Sequence, residues 1–256
     1  MKVTFLGTGT SHGVPMIGCD CRTCTSTNPR DTRWRPSVYI ETDDGQAVLV
    51  DAGPDLRAQA LKFNVRRVDA IVFTHGHADH ILGIDEVRRF NAIQKRPMAC
   101  FGDQATLDDI ERVFAYVFDP AAPKGGGIPQ LDLFTIAGPF CIGRQEIVPI
   151  PVFHGTRPIL GFRFGRFAYL TDCSHIPDTS MPLLAGLDVL VLDALRDRPH
   201  PTHFTVDEAV RVARRTSPVA RRTFFTHMCH DLAHDTTNAR LPKGIELAYD
   251  GLVVEV

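Results

Sequence analysis

The chain has 256 residues, 44% of them hydrophobic, enough to bury a full core and suited to one large body. Its 28 Lys and Arg against 30 Asp and Glu give a net charge of −2, which excludes the basic field that a long nucleic-acid backbone requires but leaves a small anionic substrate open. No apolar run reaches the ~20 residues of a membrane span, and Met1-Lys2 leads into an apolar run too short for a signal peptide, so a cytoplasmic protein with no membrane partner is expected.

In chain order, short apolar segments bounded by Gly, Asp and Pro predict strands at 3–6, 37–41, 47–50, 70–73, 98–101, 147–152, 160–164, 167–170, 189–192, 222–225 and 252–256. Helical patterns occupy 55–64, 85–94, 105–118 and 205–216, the last opening on the capping box Thr205-x-x-Glu208. Strands that first pair locally and then alternate with helices predict layered sheets covered by helices, not a single Rossmann sheet. Two loops interrupt the pattern. Residues 11–35 form a long connection that carries a cysteine cluster, and so long a loop in a compact body is functional or held by something. Residues 119–130, with Lys124-Gly125-Gly126-Gly127, have the composition of a flap or of a solvated connection.

Seven cysteines are an odd count for a disulfide framework, and a reducing compartment disfavours one. Cys19-x-Cys21-x-x-Cys24 supplies three thiolates within six residues, the spacing of a closed zinc site that lacks only a fourth ligand. His12, Cys229, His230 and His234 are candidates for it. Cys100, Cys141 and Cys173 sit in apolar segments and are expected to be small buried residues.

The densest chemistry is Thr74-His75-Gly76-His77-Ala78-Asp79-His80, directly behind the strand at 70–73. In extended chain His75 and His77 face the same side, so the pair can clasp one cation. Asp79 and His80, where the chain turns into helix, can reach a second. Imidazole with carboxylate suits Zn, Mn or Fe better than Ca or Mg. His154, Asp172 and His227 each follow a predicted strand by one or two residues, and strand ends at one sheet edge converge.

This pattern resembles the metallo-β-lactamase superfamily of dinuclear metallohydrolases over nearly the whole chain. The resemblance implies an α/β fold, a four-layer αββα sandwich, for a single hydrolase domain spanning 1–256. It implies that His75, His77 and His154 hold one metal, that Asp79, His80 and His227 hold the other, and that Asp172 bridges them. Asp51, in Val50-Asp51-Ala52-Gly53, matches the early aspartate that supports the ligands from behind.

The cysteine loop is similar to that of the phosphoribosyl cyclic phosphodiesterases of the carbon–phosphorus lyase pathway. There the fourth zinc ligand lies three residues after the last active-site histidine, the place of His230. His203 matches the histidine set beside the departing oxygen. The resemblance implies a metal-dependent phosphodiesterase acting on a small cyclic phosphate ester, with Asp79, Asp172 and His203 as catalytic groups. It also implies two divalent metals (Mn or Zn, or Fe), one structural zinc and a homodimer. Ribonuclease Z-like RNA hydrolysis and lactone or thioester hydrolysis are the rival activities. A non-catalytic scaffold resembling pyrroloquinoline quinone biosynthesis protein B would have an eroded ligand set, whereas here all seven are present. His12 and the 119–130 loop have no place in the phosphodiesterase pattern.

Overall fold

The computed structural model describes residues 1–121, 127–216 and 220–256; Lys124-Gly125-Gly126 of the 119–130 segment lie outside them. The first half of the chain lays down β1 (Lys2–Gly7), β2 (Ser37–Glu41), β3 (Ala47–Val50), β4 (Ala70–Val72), β5 (Met98–Gly102) and β6 (Leu131–Thr135), joined at the edge by β14 (Val253–Glu255). The second half lays down β7 (Phe140–Ile142), β8 (Gln145–His154), β9 (Arg157–Phe164), β10 (Phe167–Leu170), β11 (Val189–Asp193), β12 (Arg222–Thr226) and β13 (Ile245–Leu247). The sheets run β14-β1-β2-β3-β4-β5-β6 and β13-β12-β11-β10-β9-β8-β7. Each has an antiparallel part and a parallel part, the latter spanning β3 to β6 and β10 to β13.

Alternation decides which face meets which layer. Val48, Val50, Ala70 and Val72 of one sheet pack with Phe162, Phe164, Phe167, Tyr169, Val189 and Val191 of the other, making the central core. The intervening Leu49, Ile71 and Phe73 face outward beneath α1 (Leu56–Lys62), α3 (Val87–Gln94) and α4 (Gln104–Val113), through Leu56, Val87, Phe90, Leu107 and Ile110. On the opposite outer face Ala168, Leu170, Leu190 and Leu192 pack with Ala209 and Ala213 of α6 (Val206–Arg215). The layers are therefore αββα, as expected.

Local departures from the expected elements have local causes. The 105–118 pattern starts one residue early, where the Asp103 side chain accepts from Thr106 N at 2.8 Å. It breaks at Phe114, which has φ −108° and ψ 38°. The strand at 147–152 is four residues longer and ends on His154 itself. Pro149 and Pro151 sit in it without breaking it. Short β7 pairs only residues 145–147 of β8, so both prolines lie where β8 is a sheet edge and no ladder donor is needed. Cys100 and Cys173 are buried, but Cys141 is exposed, because on three-residue β7 the alternation turns Ile142 inward and Cys141 out. The ends of the chain meet: β14 pairs antiparallel with β1, and the Met1 amino group donates to Val256 O at 2.9 Å.

The capping box at α6 forms as read: Thr205 accepts from Glu208 N, and Glu208 accepts from Thr205 N at 2.8 Å. Thr205→Ala removes one half of it and is expected to cost about 1 kcal/mol, read as a lower urea midpoint with an unchanged slope.

Candidate active site

Five of the seven residues of the dinuclear set follow or close a strand at its carboxyl end, where open sheets of this kind build their clefts. Asp51 follows β3, His75 and His77 follow β4, and His154 closes β8. Asp172 follows β10, Asp193 closes β11, and His227 follows β12. Three of these residues, Asp51, Asp172 and His227, have left-handed backbones with φ of 62°, 54° and 59°. Such a kink reverses the chain at once and turns the side chain across the sheet end. Asp79 and His80 come from the four-residue helix α2 (Ala78–Ile81). That helix is pinned to the end of β3, because Ala52 N donates to His80 O at 2.7 Å and Gly83 N to Ala52 O at 2.8 Å. A Cβ on Gly53 would lie 2.1 Å from the Asp79 carbonyl oxygen, so only glycine lets the helix come this close.

The seven side chains form two adjoining groups. His75, His77 and His154 offer nitrogens that all lie within 4.8 Å of one another, and Asp79, His80, Asp172 and His227 do the same. Asp172 uses both oxygens: Oδ2 lies 3.2 Å from His80 Nε2 and Oδ1 lies 3.1 Å from His227 Nε2. Asp79 Oδ2 is 3.3 Å from His80 Nε2. Ligand bonds of ~2.0–2.2 Å in tetrahedral geometry set donor atoms ~3.3–3.6 Å apart, so these separations are close to what a shared cation requires. His80 Nε2 and His227 Nε2 are buried and, among the described residues, make no hydrogen bond. Burial holds His75, His77 and His154 below the ordinary histidine value, which keeps their lone pairs free for a metal. Burial opposes ionisation of Asp79 and Asp172, yet His80 and His227 outweigh it and hold both carboxyls below the usual range. The donor set therefore fits divalent metal binding.

Behind the ligands stand two carboxylates. Asp51 lies 2.7 Å from His80 Nδ1 and accepts from Thr74 N at 2.8 Å and Thr74 Oγ1 at 2.9 Å. Asp193 lies 2.9 Å from His203 Nδ1, accepts from Cys173 N at 2.9 Å, and sits 3.7 Å from His227 Nδ1. Sequence reasoning missed Asp193. Its only signal was an acidic residue ending an apolar strand, the same signal that marked Asp172. Held by Asp193, the His203 ring stacks on His227 with centroids 4.6 Å apart, and one of its nitrogens lies within 4.8 Å of His154 and Asp172 ligand atoms.

The cysteine loop closes on His230. Its Nδ1 lies 3.1 Å from Cys19 Sγ and 3.5 Å from both Cys21 Sγ and Cys24 Sγ, close to the ~3.6 Å edge that Zn–S of ~2.3 Å and Zn–N of ~2.0–2.1 Å require. The Cys24 backbone N–H holds the Cys21 thiol down to about 7, while burial pushes Cys24 up to about 11. The other three candidates turn elsewhere. His12 lines a neighbouring cavity, Cys229 Sγ accepts from Asp231 N, and His234 packs against Tyr249. Arg33, almost fully buried, ties the loop to the active-site strand end by donating to Cys229 O at 2.9 Å and Leu232 O at 2.5 Å.

Residues 46–228, more than half of the chain, match the family model described as the beta-lactamase superfamily domain. The chain belongs to the β-lactamase superfamily. Among solved structures in that superfamily's fold, a crystal structure described as a new diphosphatase from the PhnP family is 46% identical. It covers 99% of this chain and 96% of its own, with a TM-score of 0.91. The zinc-bound PqqB of Methylobacterium extorquens covers both chains fully at TM-score 0.81, but at 17% identity it shows the fold alone. A Porphyromonas gingivalis protein named octanoyltransferase is 35% identical over 98% of this chain, and the chain spans about half (51%) of that relative's length. The chain thus has the metallo-β-lactamase fold and is related to the diphosphatase.

Two outcomes check the site. Asp193→Asn is expected to lower hydrolytic activity by about 10- to 100-fold, as loss of a group that orients a ligand does. Cys21→Ser is expected to remove one zinc per chain by elemental mass spectrometry and to lower the melting temperature, while His12→Ala and His234→Ala keep that zinc.

Proposed function

We propose that this protein is a dinuclear metal-dependent phosphodiesterase that opens a small cyclic phosphate ester of the phosphoribosyl 1,2-cyclic phosphate type to a phosphomonoester. The observation that carries the reading is His203, buried beside the complete seven-residue set and held by Asp193 at 2.9 Å. His75, His77 and His154 would hold one cation and Asp79, His80 and His227 the other, with Asp172 shared; Mn or Zn, or Fe, suits these donors. When bound, such a pair supplies an activated water and neutralises charge on attacking and leaving oxygens.

The chain's own groups do the rest. Asp193 occupies His203 Nδ1, which leaves Nε2 to carry a proton toward the departing oxygen. Burial lowers the His203 pKa from its ordinary value, making its proton easier to give up than that of free imidazolium. Asp51 fixes the His80 ring through Nδ1, so its Nε2 faces the cleft.

The octanoyltransferase relative favours an acyl ester as a second reading. Against it, the cavity beside His203 is lined by His12, Arg196, Arg198 and His200, which suits an anion better than an alkyl chain. The net charge of −2 weighs against an RNA substrate. A structural zinc at Cys19, Cys21, Cys24 and His230, a reducing cytoplasmic setting and a two-fold dimer complete the proposal.

The test is phosphorus NMR of the metal-loaded protein with phosphoribosyl 1,2-cyclic phosphate, 2′,3′-cyclic nucleotides and, by proton NMR, a lactone. Ring opening of a cyclic phosphate is expected. It should vanish in Asp172→Ala and fall by on the order of 100- to 10,000-fold in His203→Ala. Lactone turnover alone would refute the phosphodiesterase reading.

A further inference from the structure

Arg33 is the largest fully buried side chain among the described residues, and the chemistry proposed above makes no use of it. It stands near the end of the loop that carries the cysteines. There its backbone pairs with Val14 at the start of that loop, Arg33 N donating to Val14 O at 2.7 Å and Val14 N to Arg33 O at 2.8 Å. From this position the guanidinium reaches the turn that follows β12. Nη1 donates to Cys229 O at 2.9 Å and Nη2 to Leu232 O at 2.5 Å, so the two bonds bracket His230. The same turn opens on His227, with φ of 59°.

A guanidinium taken out of water is costly unless other charges compensate it. Arg33 Nε makes no hydrogen bond among the described residues. Its ion pair with Asp31 spans 3.7 Å, and that carboxylate also accepts from His234 N at 2.7 Å. Asp250 faces Arg33 as well, but it accepts from Thr8 Oγ1 and Trp34 N, each at 2.7 Å, and burial pushes its carboxyl up to about 7. Cys24 and Cys229 are the other groups that favour the charged guanidinium. Zinc held by three thiolates and an imidazole carries one net negative charge, so a filled zinc site adds counter-charge where Asp31 and Asp250 fall short. It also fastens the 19–24 segment to His230, and with it the loop whose ends place Arg33.

We propose that Arg33 is a positioning residue that couples the zinc site to the dinuclear site: zinc closes the 11–35 loop, the closed loop seats Arg33, and Arg33 holds the 227–232 turn so that His227 is set for its metal. The links act in series. Zinc occupancy therefore raises the affinity of the metal position that His227 serves, and by thermodynamic linkage a metal at that position tightens zinc by the same factor. His75, His77 and His154 come from other segments, so the metal they would hold stands outside the coupling. The inference rests on the metal content proposed above and is independent of the substrate.

The test is a double-mutant cycle read as Mn2+ affinity by calorimetry, with no substrate present. Chelated protein is given one zinc per chain, which the soft thiolate site takes in preference to imidazole and carboxylate, and Mn2+ is then titrated. The wild type is expected to bind two Mn2+ ions. Cys21→Ser, titrated without zinc, and Arg33→Met, which keeps its zinc, are each expected to weaken one of the two by about tenfold and to leave the other within about twofold. Because the links are in series, the double variant should bind Mn2+ no more weakly than either single variant, whereas independent structural losses add in free energy. Arg33→Lys, which keeps the charge and one donor, should fall between wild type and Arg33→Met; if Arg33→Met does not fold, Arg33→Lys takes its place in the cycle. Unchanged Mn2+ affinity in Cys21→Ser, losses that add in the double variant, equal weakening of both Mn2+ ions, or a wild type that takes no zinc at the cysteines would each overturn the coupling. Failure to open any cyclic phosphate would sink the phosphodiesterase reading and leave the outcome of this cycle standing.

Discussion

Four carboxylates, Asp51, Asp79, Asp172 and Asp193, are buried at one edge of the two sheets, and the rest of the site exists to compensate them. Each ion taken from water costs several kcal/mol unless it is paired. His80 is the central partner, with Asp51 at 2.7 Å, Asp172 at 3.2 Å and Asp79 at 3.3 Å. Burial opposes its protonation, yet these three carboxylates raise its pKa well above the ordinary value. Protons can balance the cluster when no cation is present, and divalent cations replace them when they bind. Metal uptake and proton release are therefore two sides of one charge balance.

That balance is possible because the fold brings strand ends from both sheets to one place. The parallel halves direct β3, β4, β10, β11 and β12 toward the same edge, and the left-handed kinks at Asp51, Asp172 and His227 turn the side chains inward. Non-glycine residues in this conformation cost of order 1–3 kcal/mol each. The αββα packing carries that cost, with Val50 and Val72 locked in the central layer directly before the kinks that follow β3 and the His75 ligand turn.

Much of this was legible in the sequence because burial on both faces leaves continuous apolar runs that end abruptly in polar ligands. β3, β4, β10, β11 and β12 all read that way, and each delivers a residue to the site. The strands that escaped notice are those whose stability comes from neighbours. β6 is half-exposed along Leu131–Thr135, and β7 and β13 have three residues each, too few to show a period. Asp193 escaped because a carboxylate closing a strand looks the same whether it meets solvent or an imidazole, and only the approach of His203 from the next segment distinguishes the two. His230 could be named from family likeness, whereas composition alone left four candidates for one position.

The pairing of β14 with β1 has a bearing on architecture. The sequence after β1 runs straight to Thr8, whose carbonyl receives Met228 N at 3.0 Å beside the cleft, so Met1 and Val256 lie together at the opposite end of that strand. A segment appended at either terminus would emerge from the same point, remote from the metal ligands and from the cavity beside His203. Fusion partners, affinity tags or a circular permutation that joins the two ends can therefore be accommodated without crossing the cleft.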